Sequence, residues 1–228
     1  MNDSIIFKPG VLNIFTDASI TPLGNNTWDG CSGAIVVNEK GEVIDQSLLV
    51  IRKCTNNIAE LMAINTGVDL ALSYIGKVSR INLFSDSKIS VLGLRDWLWS
   101  WLHNYQGNDL STLRTSSGTP VKNSHLIVQI INKITGIDYK TTQFNIYHCK
   151  GHAKGKEFVV QSTFREVNHI DIPIEDARRL GIYNDMIDVL TRDTLLSNTR
   201  QFDEVIPPFA IAPMDLSRYK KIIGARSF

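Results

Sequence analysis

Apolar and polar positions alternate from Val11 to Thr16, the two-residue period of a strand with one face turned to a core. A short run rich in β-branched residues, Gly33-Ala34-Ile35-Val36-Val37, predicts a second strand, and Asn38-Glu39-Lys40-Gly41 supplies a turn. Val43-Ile44 to Leu48-Leu49-Val50-Ile51 predicts a returning strand, so this part of the chain reads as an antiparallel hairpin. The period then changes. From Asn57 onward apolar residues fall at Ile58, Leu61, Met62, Ile64, Val68, Leu70, Ala71 and Leu72, close to a helical repeat, with Thr55 or Asn56 placed to cap it. Arg80 to Phe84 predicts a fourth strand that stops at Ser85-Asp86-Ser87. A helix from Ser87 to about His103, a polar loop over 106–122, a helix from Ser124 to Thr135 and a strand from Gln143 to His148 follow.

Beyond Gly151-His152 the pattern is less regular. Phe158 to Phe164 predicts a β-run, Pro173 opens a helical stretch that Gly181 breaks, and Asn184 to Leu196 predicts a closing helix. Residues 199–228, with Pro207, Pro208 and Pro213, carry no clear period. The order β-β-β-α-β-α-α-β-insert-α predicts an α/β fold, a mixed five-stranded sheet with helices on its faces. The expected organisation is one domain over 1–198, with an insertion at about 156–182 built as a β-ribbon plus a short helix, and a C-terminal extension over 199–228.

Charge and cysteine content narrow the function classes. Over 228 residues, 24 Lys+Arg stand against 23 Asp+Glu, a net charge of +1. This excludes a domain that is basic overall and leaves a local basic patch as the electrostatic route to nucleic acid. Cys31, Cys54 and Cys149 are scattered, with no CxxC pair, so free thiols in a reducing compartment are expected and a zinc site is not. No apolar run approaches the roughly 20 residues of a membrane-spanning helix. The opening MNDSIIFKPG lacks a basic region followed by an apolar core. A cytoplasmic protein without membrane association is expected, with a monomer as its working state.

Three acids stand at informative places. Asp17 ends the first predicted strand, Glu60 lies early in the first helix, and Asp86 ends the fourth strand. Strand ends along one edge of an α/β sheet commonly carry sites. If the first and fourth strands are neighbours, Asp17 and Asp86 lie side by side and Glu60 can reach them from the covering helix. Crowded carboxylates are costly unless cations neutralise them, and an oxygen-only donor set points to a hard ion, Mg²⁺ or Mn²⁺. Taken singly, each acid also fits a turn, a helix cap or a partner for the helix macrodipole.

The ordered set is more specific. Thr16-Asp17-Ala18-Ser19, Gly33-Ala34, Thr55-Asn56-Asn57-Ile58-Ala59-Glu60-Leu61, Ser85-Asp86-Ser87, Lys150-Gly151-His152 and Asn184-Asp185-Met186-Ile187-Asp188 together resemble ribonuclease H type 1 over about residues 11–196. The resemblance implies catalytic, metal-holding carboxylates at Asp17, Glu60, Asp86 and Asp188, and a loop histidine that aids turnover at His152. It implies two Mg²⁺ ions, with Mn²⁺ as a substitute, and hydrolysis of the RNA strand of RNA/DNA hybrids to 5′-phosphate and 3′-hydroxyl ends. By the same resemblance Asn56 and Asn57 contact the minor groove of the hybrid. Lys53, Thr55 and Asn123 would hold a DNA phosphate, and Trp97 and Trp101 would line the DNA-strand groove. Asn56 also fits a helix cap, and the tryptophans also fit core packing.

The chain departs from the family pattern in three ways. The spacing from His152 to Asp188 is wide, the family's basic protrusion is reduced to Arg114 apart from His103, and a basic tail with Arg218, Lys220, Lys221 and Arg226 is added. That tail can contact nucleic acid or dock on the domain's own surface. Asp185 reads as an acid at a helix N-terminus. Two other readings stay open at this point: an inactive scaffold that keeps the fold, and a resolvase- or transposase-like DNA nuclease.

Overall fold

The computed structural model describes residues 4, 6–24, 27–102, 113–153, 155–197, 203–204 and 216–223. Strands β1 (Val11–Gly24), β2 (Thr27–Val37) and β3 (Val43–Cys54) form an antiparallel meander, followed by helix α1 (Asn56–Leu72) and strand β4 (Arg80–Ser85). A helical run of α2 (Lys88–Leu92), a π-helical turn (Gly93–Trp97) and α3 (Leu98–Trp101) comes next. Then follow α4 (Ser124–Thr135), β5 (Gln143–His148), α5 (Glu157–Asn168), α6 (Ile174–Ser197), a two-residue strand β6 (Asp203–Glu204) and α7 (Leu216–Ile223). The sheet order is β5-β4-β1-β2-β3-β6, with β4 parallel to β1 and to β5. The expected five-stranded mixed sheet is therefore present, and β6 adds a short parallel edge to β3.

Both faces of the sheet are covered, which explains the near-continuous apolar runs in its central strands. Ile14, Val36 and Leu83 face α1 and α4, whereas Phe15, Ile35 and Phe84 face α6 and α5. Register is pinned at the far end of the parallel strands by an amide ladder. Asn145 Nδ2 donates to Asn82 Oδ1 at 3.0 Å, Asn82 Nδ2 to Asn13 Oδ1 at 3.1 Å, and Asn13 Nδ2 to the Ile6 carbonyl at 2.9 Å. A one-residue slip would break every rung and turn each apolar side chain to the wrong face. The same register pairs Thr16 with Ser85 and brings the next residues, Asp17 and Asp86, abreast.

Several elements differ from the sequence expectation. Asp17 lies within β1, because the hairpin with β2 continues to Pro22↔Trp28 and beyond after pairing with β4 has ended at Thr16↔Ser85. Phe158–Phe164 is helical, so the insertion is α5 followed by the start of α6, with no β-ribbon among the described residues. Gly181 does not break α6, which runs unbroken over Ile174–Ser197 and leaves Asp185 in mid-helix. Gly181 packs beside the Ala153 carbonyl and Val160, where an added Cβ would make ordinary contact at 3.4 and 3.8 Å. His103, Tyr105 and residues 106–112 of the predicted polar loop fall outside the described residues, as do Arg226 and Phe228. No helix among the described residues is long and apolar enough to cross a membrane.

The tail also carries structure that its pattern did not announce. Tyr219 and Ile222 of α7 are buried against the cluster that holds α4, and the Tyr219 hydroxyl donates to the Leu94 carbonyl in the π-helical turn at 2.9 Å. Arg218 Nη2 donates to the Ile137 carbonyl at 3.2 Å. Tyr219→Ala is expected to destabilise the fold by about 3–5 kcal/mol, the range for emptying a large aromatic site. The urea midpoint of the variant against the parent measures this.

Candidate active site

Asp17, Glu60 and Asp86 each place one carboxylate oxygen within 4.8 Å of the others. Thr55 follows β3 and caps α1 by accepting from the Ile58 N–H at 3.4 Å, and this start of the helix directs Glu60 back toward the sheet. Asp17 and Glu60 are buried, and Asp86 is half-buried. Burial, then the neighbouring Asp86 charge, pushes the Asp17 carboxyl up to about 8, with Asp188 adding to the rise. Burial, then Asp17 and Asp86, pushes Glu60 up to about 9. Asp86 is raised chiefly by burial and held back by His152 and by a hydrogen bond from the Asn184 side chain.

Asp188, on α6, lies outside the three acids that share this space; its charge still raises Asp17 and Asp86, and its side chain is 18% exposed. Its Oδ2 lies 3.2 Å from Arg192 Nη1 and 3.9 Å from His152 Nδ1. His152 stands at φ 50° with its ring 78% exposed, so it faces solvent at the rim. The donor set fits a hard divalent cation. It is all oxygen, the acids repel one another without a counter-charge, and Glu60 Oε2 is buried with no hydrogen-bond partner. A cation would satisfy that atom and relieve the repulsion.

Against known proteins, the RNase H family model matches residues 9–163. The chain belongs to the RNase H family. It is a ribonuclease H hydrolase, and is 29% identical over 147 residues to the ribonuclease H of Actinobacillus pleuropneumoniae serotype 5b (strain L20), covering 64% of this chain and 82% of that one. Among solved structures, the foamy viral protease-reverse transcriptase in complex with RNA/DNA hybrid matches at a TM-score of 0.50 and 14% identity, over 66% of this chain. This RNase H spans 19% of that viral chain. RNase H1 from the halophilic archaeon Halobacterium salinarum NRC-1 matches at a TM-score of 0.42 and 18% identity, over 71% of this chain and 95% of that one. The family match includes Asp17, Glu60, Asp86 and His152 and stops inside α5, so Asp188 stands beside the site by virtue of the packing of α6 against β1 and β2.

The expected substrate residues divide into two groups in this RNase H. Asn57, Trp97, Trp101 and Asn123 line one groove of about 460 Å³, together with Lys122 and Ile89. Trp97 is 40% exposed and Trp101 9%, so Trp97 offers a free ring face and Trp101 is mostly packing; their centroids are 6.3 Å apart. Gly93 in the π-helical turn makes room for Trp101, since a Cβ there would sit 3.0 Å from its ring. Lys53, Thr55 and Asn56 are exposed at the β3–α1 junction, outside that lining.

Sequence reasoning gave no role to His148, which is buried at the end of β5 and hydrogen-bonds the Asp86 backbone; burial pushes its ring down to about 4 and keeps it neutral. Its backbone is clamped in turn by Asn168 of the inserted α5, which accepts from the His148 N–H at 3.0 Å and donates to its carbonyl at 2.8 Å. Arg95 from the π-helical turn donates to the same Asn168 Oδ1 at 2.8 Å. The insertion thus braces the end of β5, whose His148 in turn holds the Asp86 backbone. No local pattern announces such a pairing between a helix C-terminus and a strand end.

Proposed function

We propose that this RNase H cuts the RNA strand of RNA/DNA hybrids internally, using two Mg²⁺ ions for which Mn²⁺ can substitute, and leaves 5′-phosphate and 3′-hydroxyl ends. The observation that carries the reading is the convergence of Asp17, Glu60 and Asp86, with Asp188 at their flank. When bound, the ions supply an activated water and charge stabilisation at the scissile phosphate. The reading gives Asp17, which interacts with Glu60, Asp86 and Asp188, the shared position between the ions, and Glu60, Asp86 and Asp188 would complete their hold. The reading gives His152, exposed beside Asp188, the turnover role of easing release of the cut strand.

The groove supports a duplex held without base reading. Trp97 offers a flat apolar face in the groove, and Asn57 in its lining, with Asn56 exposed just outside it, can donate and accept where an RNA strand presents its 2′-hydroxyls. Lys53, Thr55 and Asn123 are assigned to a DNA phosphate, a contact that fixes register but carries no sequence information. The reading assigns 1–198 to the catalytic domain and 199–228 to an extension held on it through β6 and α7. An end-labelled RNA/DNA hybrid incubated with Mg²⁺, beside the same reaction in EDTA, tests the proposal. RNA-strand fragments that need Mg²⁺ are expected. Cutting of double-stranded DNA, or binding of the hybrid without cutting, refutes it.

Gly151 gives a sharper prediction. A Cβ at this position would collide with Asp86 Oδ2 and sit 3.0 Å from its Cγ, so Gly151→Ala must displace the carboxylate. A displacement of about 1 Å in a reacting constellation costs on the order of 10²-fold. The kcat for hybrid cleavage is expected to fall by that amount with little change in the thermal midpoint.

A further inference from the structure

Cys149 follows His148 at the end of β5 and is 1% exposed. Its thiol donates to Asn184 Oδ1 on α6 at 3.1 Å, and the Asn184 side chain, 2% exposed, hydrogen-bonds the Asp86 carboxylate. A primary amide is two-ended: the oxygen accepts and the nitrogen donates. Turned over, the Asn184 amide would aim a lone pair at a carboxylate and its N–H groups at sulfur, which is a weak acceptor. A neighbour that donates to Oδ1 therefore selects the orientation that Asp86 needs. Asn184 also precedes Asp188 by one helical turn on the same face of α6, so the amide and that acid enter the site together.

We propose that Cys149 is a positioning residue, whose thiol fixes the Asn184 amide with its NH₂ toward Asp86 and so holds Asp86 in the arrangement it shares with Asp17 and Glu60. The inference deepens the reading above and rests on it. Cys149 itself touches no reacting atom; it acts through Asn184. An apolar side chain of similar volume leaves the buried Asn184 Oδ1 without a donor, whereas a hydroxyl restores one.

The test compares the full chain with Cys149→Val, Cys149→Ser, Asn184→Ala and the double variant Cys149→Val/Asn184→Ala. Mg²⁺ binding to the free protein is measured by calorimetry, kcat and KM on a labelled hybrid, and folding by thermal midpoint. Cys149→Val is expected to weaken Mg²⁺ binding and lower kcat about tenfold each at unchanged KM, the loss of one buried hydrogen bond of about 1.4 kcal/mol. Cys149→Ser is expected within twofold of the parent, and Cys149→Val is expected to add nothing once Asn184 is alanine. Should valine overfill the site and unfold the chain, Cys149→Ala takes its place in the same comparison. Parental Mg²⁺ affinity in a folded Cys149→Val, equal impairment of Cys149→Ser, or a full Cys149→Val effect in the Asn184→Ala background overturns the inference. A parent that binds Mg²⁺ in a Cys149-dependent way but cuts no hybrid supports it and refutes the proposed function instead.

Discussion

Asp86→Asn is expected to abolish hydrolysis of the RNA strand, by at least about 10³-fold in kcat, while the variant stays folded. Three acids share one small space here, and Asp86 is the one least buried and most firmly oriented by its surroundings. His148 holds its backbone, Asn184 its carboxylate, and Gly151 leaves the space the carboxylate occupies free of a side chain. An amide of the same shape keeps the packing and loses the charge that attracts a cation. Metal-borne stabilisation of a phosphoryl transition state amounts to several kcal/mol, which at about 1.4 kcal/mol per factor of ten gives the expected loss. The same substitution removes one of the mutually repelling charges, so the metal-free variant should be no less stable than the parent. A gel of labelled hybrid beside a thermal melt separates the two effects. A variant that melts as the parent does and still cuts at a tenth of the parent's rate would remove Asp86 from the mechanism.

The three acids of the cluster were legible because each stands where a local apolar pattern stops or a helix begins, although Asp17 proves to lie inside β1. Asp17 follows the alternating run of β1, Asp86 follows β4, and Glu60 sits a turn into a helix whose start the Thr-Asn-Asn segment marks. The insertion was misread for an equally physical reason. Val160, Phe164 and Val167 are buried at helical spacing, but Phe158 and Val159 beside them are 76% and 44% exposed, and those two made the segment look like a β-run. Gly181 reads as a helix breaker in sequence and proves to be a contact between α6 and the segment after His152, a distinction only tertiary packing makes. In the tail, two buried residues one helical turn apart are too few to set a period, and their burial depends on α4 and the π-helical turn. The Cys149–Asn184 pair spans 35 positions along the chain, and nothing local marks it.

Metal-free protein should lose stability as pH rises, and Mg²⁺ should reverse that loss. Asp17 and Glu60 are held at about 8 and about 9 in the fold, against ordinary values of 3.8 and 4.5. Through the window from about pH 4 to pH 9 the folded state therefore binds more protons than the unfolded chain, and unfolding free energy falls with rising pH. Below that window both states are protonated and the stability is fully present; above it the acids are ionised, crowded and buried. At about 1.4 kcal/mol per factor of ten in proton affinity, each of the two acids contributes a loss on the order of 6 kcal/mol across the window. A cation bound by ionised acids acts in the opposite sense. It must displace their protons, so its binding tightens with pH and stabilises the fold by an amount that grows as the metal-free protein weakens. Urea unfolding at pH 5, 7 and 9, with EDTA or with saturating Mg²⁺, should give midpoints that diverge steadily as pH rises. Calorimetry at pH 7 in buffers of different ionisation enthalpy should record about one to two protons released as Mg²⁺ binds. Midpoints that rise with pH in EDTA, or Mg²⁺ binding that releases no protons, would mean that these acids do not meet in one metal-holding pocket.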